Sequence, residues 1–217
     1  MALSVYVISS NELLQDVIAH LIKDEECLSY AGASRTANEA LDRISALKPD
    51  VVVTDAPPAN MHDVFVWREI REYGPRVLML AYYLRADDAA LSVLAGANCL
   101  VLAPAGQSRA LLDLILRIGN GESPRAEGVA RRLNEAAIGY DGNLSEEQRR
   151  VLRLVIDGMS DVEIASKEAA TMGEVRGWVA DIAEKVSQRL TQTLPEVRTH
   201  IESTAASHSS SRKQSPA

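Results

Sequence analysis

The sequence predicts a doubly wound α/β domain, built on a five-stranded parallel sheet of order 2-1-3-4-5, followed by a smaller all-α domain. Three observations carry this expectation. Short β-rich runs alternate with helical periodicity five times between residues 3 and 121, and strands joined through crossover helices lie parallel, with helices on both faces of the sheet. The length and order of the repeats suit the doubly wound arrangement. After residue 143 the β-rich runs stop and three helical runs follow one another.

The elements read in order as follows. "SVYVI" (Ser4 to Ile8) is a strand, and "NELLQDVIAHLIKD" is a helix with Leu13, Leu14, Val17, Ile18, Leu21 and Ile22 on one stripe. "CLSYAGAS" is a weaker strand and "TANEALDRISALK" a helix. "DVVVT" is a buried strand, and "VFVWREIREYG" is a helix stopped at Gly74-Pro75. "RVLML" is a strand, and "DDAALSVLAGA" is a helix ending near Gly96, its Asp87 and Asp88 favoured at a helix N-terminus by the dipole. "CLVLA" and "SRALLDLILRIGNG" complete the fifth repeat. The expected domains are 1–121, a linker at 122–143 with a short helix "AEGVARRLNEAA", a helical domain at 144–202, and a disordered tail at 203–217. Pro195 is placed to start a last short helix, "EVRTHIES".

Composition narrows the function classes. A hydrophobic share of 47% suffices for real cores, and a net charge of -7 gives no global attraction to nucleic acid or anionic membrane, so any nucleic-acid contact must come from a local patch. Two cysteines, Cys27 and Cys99, are too few for a disulfide framework and lack ligand spacing; both are expected as reduced core residues. His20, His62, His200 and His208 are scattered, which argues against a metal site. No phosphate-binding loop and no nucleophile–base pair occur, so neither a cofactor nor an enzymatic activity is expected. The first residues lack the basic segment of a signal peptide. The longest apolar run, Val77 to Leu84, falls short of the ~18–20 residues of a membrane helix, so a cytoplasmic protein without a membrane partner is expected.

In a doubly wound sheet, ligands sit at the carboxyl ends of the strands flanking the topological switch. Those ends are Ser9-Ser10 after the first strand and Asp55 within "PDVVVTDAPP" after the third. With "VLAGANCLVLA" before the fifth helix, this layout resembles the receiver domains of two-component response regulators, from Leu3 to Gly121. The resemblance puts Asp55 at the phosphoacceptor position. It also implies acidic residues where this chain has Ser9 and Ser10, a Ser or Thr where it has Ala81, and a lysine where it has Ala103. Mg²⁺ requires hard oxygen ligands, and phosphoryl transfer rests on positioning and charge stabilisation. Three of four supports are missing, so Asp55 is expected to be vestigial and the receiver degenerate. The residues favour a turn or helix-capping carboxylate at Asp55 over an anchor for a ligand or partner, and both over phosphorylation. Ser9, Ser10 and Asn11 read as an N-cap. Tyr82 and Tyr83 fit equally a dimer face and partly buried packing.

"LSEEQRRVLRLVIDGMSDVEIASKEAATMGEVRGWVADIAEKV" resembles the C-terminal helix-turn-helix domain of LuxR and NarL/FixJ regulators, between Leu144 and Leu190. Leu144, "VLRLV" and "GMSDVEIA" carry the likeness, with Gly158 at the turn, Ser160 as a cap, and Ile164 and Ala165 packed inward. The resemblance implies a scaffold helix from Asp161 to about Ala169 and a recognition helix from Gly173 to Gln188 in the major groove. Val175, Val179, Ile182 and Val186 form its buried stripe. Gly173, Arg176, Gly177, Ala180 and Glu184 lie opposite, and among them Arg176 alone is a clear base reader. Seven Lys or Arg stand against nine Asp or Glu between Leu144 and Leu190, a handicap for phosphate contacts.

Two readings stay open. In one, the module binds DNA through Arg176, Gly177, Trp178, Lys167, Lys185 and Arg189, helped by Arg149, Arg150 and Arg153. In the other, the Gly173/Gly177/Ala180 face meets a protein, since a helical glycine costs up to ~1 kcal/mol relative to alanine and invites close approach. The favoured expectation is an atypical NarL/FixJ-type response regulator that binds promoter DNA as a homodimer, without aspartyl phosphorylation. The alternatives are a protein-binding adaptor or anti-regulator, and a pseudo-receiver sensing a small ligand near Ser9, Asp55 and Ala81. Whether the two domains dock is left open.

Overall fold

Val51, Val52 and Val53 are consecutive, apolar and fully buried, which requires a strand covered on both faces in the middle of a parallel sheet. The computed structural model describes residues 2–81, 86–102, 108–122, 144–157, 159, 161–185 and 188, and it places this strand centrally. The order is β2-β1-β3-β4-β5, all pairs parallel, as the repeats predicted. The elements are β1 (Leu3–Ile8), α1 (Glu12–Lys23), β2 (Leu28–Ser34), α2 (Ala37–Leu47), β3 (Val51–Thr54), α3 (Met61–Glu72), β4 (Arg76–Ala81), α4 (Ala86–Leu94), β5 (Cys99–Leu102) and α5 (Ser108–Gly119). Three helices follow: α6 (Glu146–Ile156), α7 (Asp161–Lys167) and α8 at 172–185.

Four helix starts, those of α1, α2, α3 and α6, have a local reason. Asn11 accepts from the backbone of Leu13 and Leu14, Thr36 from Glu39, and Asn60 from Asp63, satisfying N–H groups that a first turn leaves unpaired. Ser145 and Gln148 form a reciprocal capping box at α6. On the edge strand β2, Gly32 takes φ +137°, and a Cβ there would approach the Tyr6 ring to 3.2 Å. The β1–β2 register shifts at Val5/Tyr6, and the buried Tyr6 hydroxyl meets Ser34 Oγ at 2.6 Å, the partner that a buried phenol needs.

Two cores follow from the alternation of side chains along the strands. Val5, Val7, Val53 and Leu80 face α1 and α5 with Ile18, Ile22, Ile115 and Ile118. Tyr6, Val52 and Met79 belong to the other cluster, with Trp67 and Ile70 of α3 and Leu91 and Leu94 of α4. That cluster continues without interruption into Leu152, Val155, Ile164, Val179 and Ile182 of the helical module. The module is therefore docked on the α3–α4 side of the α/β unit.

Cys99 is buried, but Cys27 is exposed, contrary to the expectation of two core cysteines. Cys27 precedes Leu28, which is 6% exposed. Successive side chains of an extended chain point to opposite sides, so burying Leu28 turns Cys27 outward. The linker helix expected at 126–137, Tyr82, Tyr83, Gly158, Ser160, the helix after Pro195 and the tail from 203 lie outside the described residues. Among the described residues, no helix is long and apolar enough to cross a membrane.

Trp67, 2% exposed, fills the core between α3 and the sheet. Truncation to alanine is expected to lower stability by about 3–5 kcal/mol, measured by urea denaturation of the full chain.

Candidate functional site

The first candidate site lies at the carboxyl ends of β1 and β3. Ile8 pairs with Thr54, so Ser9 and Asp55 leave adjacent strands at one level. Ser9 is fully buried, and its Oγ accepts from the Asn11 N–H at 3.0 Å and lies 3.4 Å from the Asn11 carbonyl. Gln15 Nε2 donates to the carbonyls of Ser9 at 2.6 Å and Ser34 at 3.2 Å, closing the ends of β1 and β2. Ser10 is exposed, and Asp55 is half-buried.

Asp55 caps nothing. Thr54 Oγ1 takes the Ala56 N–H at 3.0 Å, and Asn60, with Asp63 Oδ2 accepting from the Ala59 N–H at 2.9 Å, starts α3. The expected helix-capping role thus belongs to Asn60, five residues on, because the Pro57-Pro58 segment separates Asp55 from the first turn. Ala81 is 6% exposed, and Ala103 lies outside the described residues. Among the described residues no group of three or more His, Cys, Asp or Glu side chains could hold a metal. One carboxylate, one exposed serine and one serine turned into its own loop do not fit the oxygen-rich shell that Mg²⁺ demands.

The second candidate site is the outer face of α8. Thr171 and Glu174 build its start: the Thr171 N–H and Oγ1 each donate to Glu174 Oε2 at 2.8 Å, and the Glu174 N–H donates to Thr171 Oγ1 at 3.2 Å. The bonds to Thr171 hold the Glu174 carboxyl below its ordinary range, the backbone N–H contributing most. Val175, Val179, Ile182 and Ala183 are fully buried, whereas Gly173, Arg176, Gly177 and Glu184 are exposed and Ala180 is half-buried. A Cβ on Gly177 would meet nothing within 4 Å among the described residues. Trp178 is half-buried and packs against the core.

Several basic residues of this module are engaged within it. Lys185 Nζ donates to Gln148 Oε1 at 2.8 Å, while Gln148 Nε2 donates to Asp181 Oδ2 at 3.2 Å, joining α8 to α6. Arg150 pairs with Glu168 at 2.8 Å and Glu147 at 3.8 Å. Lys167 is exposed at the end of α7, and Arg189 lies outside the described residues.

Arg176 itself reaches back to the α/β unit, where its guanidinium donates to Glu72 of α3 and lies 4.0 Å from Asp161. A second cross-module pair joins Arg68 of α3 to Asp161, the first residue of α7, while Arg68 also donates to the Leu94 carbonyl. The side chains of Arg68 and Asp161 are 17% and 21% exposed, against 55% and 58% for Arg176 and Glu72. Exposed pairs contribute about 0–1 kcal/mol, and hydrogen bonds to a charged group about 1.5–3 kcal/mol. The Arg68 pair therefore dominates the polar part of the docking. Sequence reasoning missed Arg68, Glu72 and Asp161, whose charges read as ordinary solvated helix positions.

No family model matches the chain. It is 23% identical over 184 residues to the transcriptional regulatory protein DesR of Bacillus subtilis, across 85% of this chain and 90% of DesR. It is 24% identical over 192 residues to the response regulator protein VraR of Staphylococcus aureus, across 86% of this chain and 91% of VraR. The solved complex of the two-component response regulator RcsB with DNA shares the fold at a TM-score of 0.53 and 17% identity, covering 86% of this chain and 93% of that one. A Salmonella typhimurium RcsB structure matches at 0.53 and 18%, covering 89% and 98%. These relatives are response regulators at low identity.

Replacing Arg68 with alanine is expected to lower stability by about 1.5–3 kcal/mol, whereas Glu72→Gln should cost at most about 1 kcal/mol and lose even that in high salt; chemical denaturation at two salt concentrations separates them. Because the Glu174 pKa is depressed in the fold, its stabilisation is present above the ordinary glutamate range and is lost as pH falls through the folded value. Melting curves between neutral and acid pH should therefore drop more steeply for the wild type than for Glu174→Gln.

Proposed function

We propose that this chain is a cytoplasmic DNA-binding transcriptional regulator of response-regulator kind, active as a homodimer without aspartyl phosphorylation. One observation carries the reading. A 2-1-3-4-5 sheet and a helical module with an exposed outer α8 face stand in one chain, whose sequence aligns along 90% of the transcriptional regulator DesR. RcsB, of the same fold, has been solved on DNA. In this reading the domains keep the boundaries 1–121 and 144–202.

The roles on DNA follow from chemistry. Arg176 has the planar fork that reads guanine edges in the major groove. Gly177 leaves room for a backbone to approach, with Trp178 beside it supplying apolar contact. Lys167, Lys185 and Arg189 supply charge to phosphates, a contribution that weakens with salt. Independence from phosphate rests on the first site: Asp55 has neither a carboxylate pair beside it nor a hydrogen bond or ion pair among the described residues, and Ala81 offers no hydroxyl. Asp55 then serves as a vestige of a phosphoacceptor, and Ser9, Ser10, Ala81 and Ala103 as the degenerate positions around it.

A second reading is favoured by one specific observation: Arg176, the single strong base-reading side chain of α8, is engaged within the chain by Glu72. A module of seven basic and nine acidic residues between Leu144 and Leu190 that keeps its one reader occupied suits a protein-binding adaptor with the glycine face as its contact.

Selection of genomic DNA fragments by the full-length protein separates the two. The proposal expects specific fragments, affinity that falls steeply as salt rises, and at least about a tenfold loss in Arg176→Ala, equivalent to about 1.4 kcal/mol. Absence of enrichment even at low salt would move the assignment to the adaptor. Incubation with acetyl phosphate and Mg²⁺ is expected to leave Asp55 unmodified; labelling lost in Asp55→Ala would overturn phosphate independence.

A further inference from the structure

Gln148 is 6% exposed, and its amide is the meeting point of groups from two helices. Its Oε1 accepts from the Ser145 N–H at 3.1 Å and from Lys185 Nζ at 2.8 Å, while its Nε2 donates to Asp181 Oδ2 at 3.2 Å. The first of these bonds closes the capping box of α6; the other two reach α8. Turning the amide over would set its N–H against a lysine and its oxygen against a carboxylate, so the partners fix its orientation. A neutral amide serves both signs at once. A carboxylate in its place would oppose Asp181, and an apolar side chain would leave α6 uncapped and both α8 groups without this partner.

Asp181 and Lys185 are one turn apart and so lie on one flank of α8. Arg176 stands nine residues before Lys185, which at about 3.6 residues per turn sets the two about 180° apart around the axis. The fully buried Val175, Val179, Ile182 and Ala183 lie between them. Gln148 therefore grips α8 on the flank opposite Arg176. The buried stripe holds the helix against the core by apolar attraction, which is non-directional, whereas the two bonds from Gln148 have direction and set the angle. A rotation of about 15° would move a side-chain tip about 5–6 Å from the axis by about 1.5 Å. That exceeds the roughly 0.5 Å within which a binding constellation must be held.

We propose that Gln148 is a positioning residue that fixes the rotation of α8 and thereby the aim of Arg176 and Gly177. Its part in sequence discrimination rests on the DNA-binding reading above; the setting of the helix angle does not. Phosphate contacts supply sequence-independent affinity and tolerate small shifts, whereas hydrogen bonds to base edges depend on direction. A side chain at the start of α6 then decides how sharply the module separates its selected sequence from others.

Gln148→Glu keeps the capping box, since glutamate serves at that position as glutamine does, but sets a carboxylate against Asp181. Adding Asp181→Asn restores a donor opposite an acceptor and the wild-type net charge. The full-length variants are compared for affinity to a selected genomic fragment and to a scrambled duplex of the same length; the ratio cancels the uniform electrostatic effect of an added charge. The expected result is a ratio about tenfold lower in Gln148→Glu, the size of one lost base contact, and recovered in the double variant. In the absence of DNA, fluorine NMR of fluorotryptophan-labelled protein reads the half-buried Trp178, its resonance assigned by its loss in Trp178→Phe. That resonance should shift in Gln148→Glu and return in the double variant. Melting curves check folding; should Gln148→Glu fold poorly, Lys185→Met cuts the other arm and is expected to lower the ratio likewise. An unchanged ratio in the folded variants, a loss that Asp181→Asn does not repair, or an unmoved Trp178 resonance would overturn the proposal. If the wild type selects no DNA, the functional reading falls and the fluorine resonance alone decides the positioning role.

Discussion

Arg68 and Asp161, separated by 93 positions in the chain, form the contact on which the arrangement of the two units depends. Arg68 sits on α3 beside the buried Trp67 and binds the last carbonyl of α4 as well as the first residue of α7. A carboxylate at a helix N-terminus is already favoured by the helix dipole. Here it also neutralises a guanidinium that is mostly withdrawn from water. Removing either partner leaves an uncompensated charge, so the pair fixes which face of the helical module meets the α/β unit. The hydrophobic cluster that runs from the sheet through α4 into α6 and α8 supplies apolar attraction, which is non-directional; the ion pair supplies the direction.

The two cross-module pairs differ in exposure, and that difference has a functional meaning. Arg68–Asp161 is sheltered, whereas Arg176–Glu72 is more than half exposed and screened by salt. Arg176 is therefore restrained at little energetic cost to release.

Much of the fold was legible because it is local. The uninterrupted Val51–Val53 run marks a central strand, five βα repeats set the sheet order, and Asn11 marks the start of α1. The stripe of Val175, Val179 and Ile182 gave the buried side of α8. What was not legible depends on long-range pairing or on a shift of a few residues. Cys27 lies outside because Leu28 takes the inward position. Asp55 was read as a turn or helix-capping carboxylate, and the capping half fails because Pro57-Pro58 delays the helix and Asn60 caps α3. Arg68, Glu72 and Asp161 carry no sequence sign of their partners, since an arginine in "WREIRE" is a solvated position until a second unit covers it.

If the proposed DNA-binding reading holds, Arg176 serves Glu72 and DNA in turn, and the affinity of Glu72→Gln for a selected promoter fragment tests that competition most directly. Freed of its partner, Arg176 is expected to bind DNA more tightly, up to about fivefold for a surface pair of about 1 kcal/mol, with the gain shrinking at high salt and vanishing when Arg176→Ala is combined with it. Unchanged or weaker binding by Glu72→Gln would contradict the account.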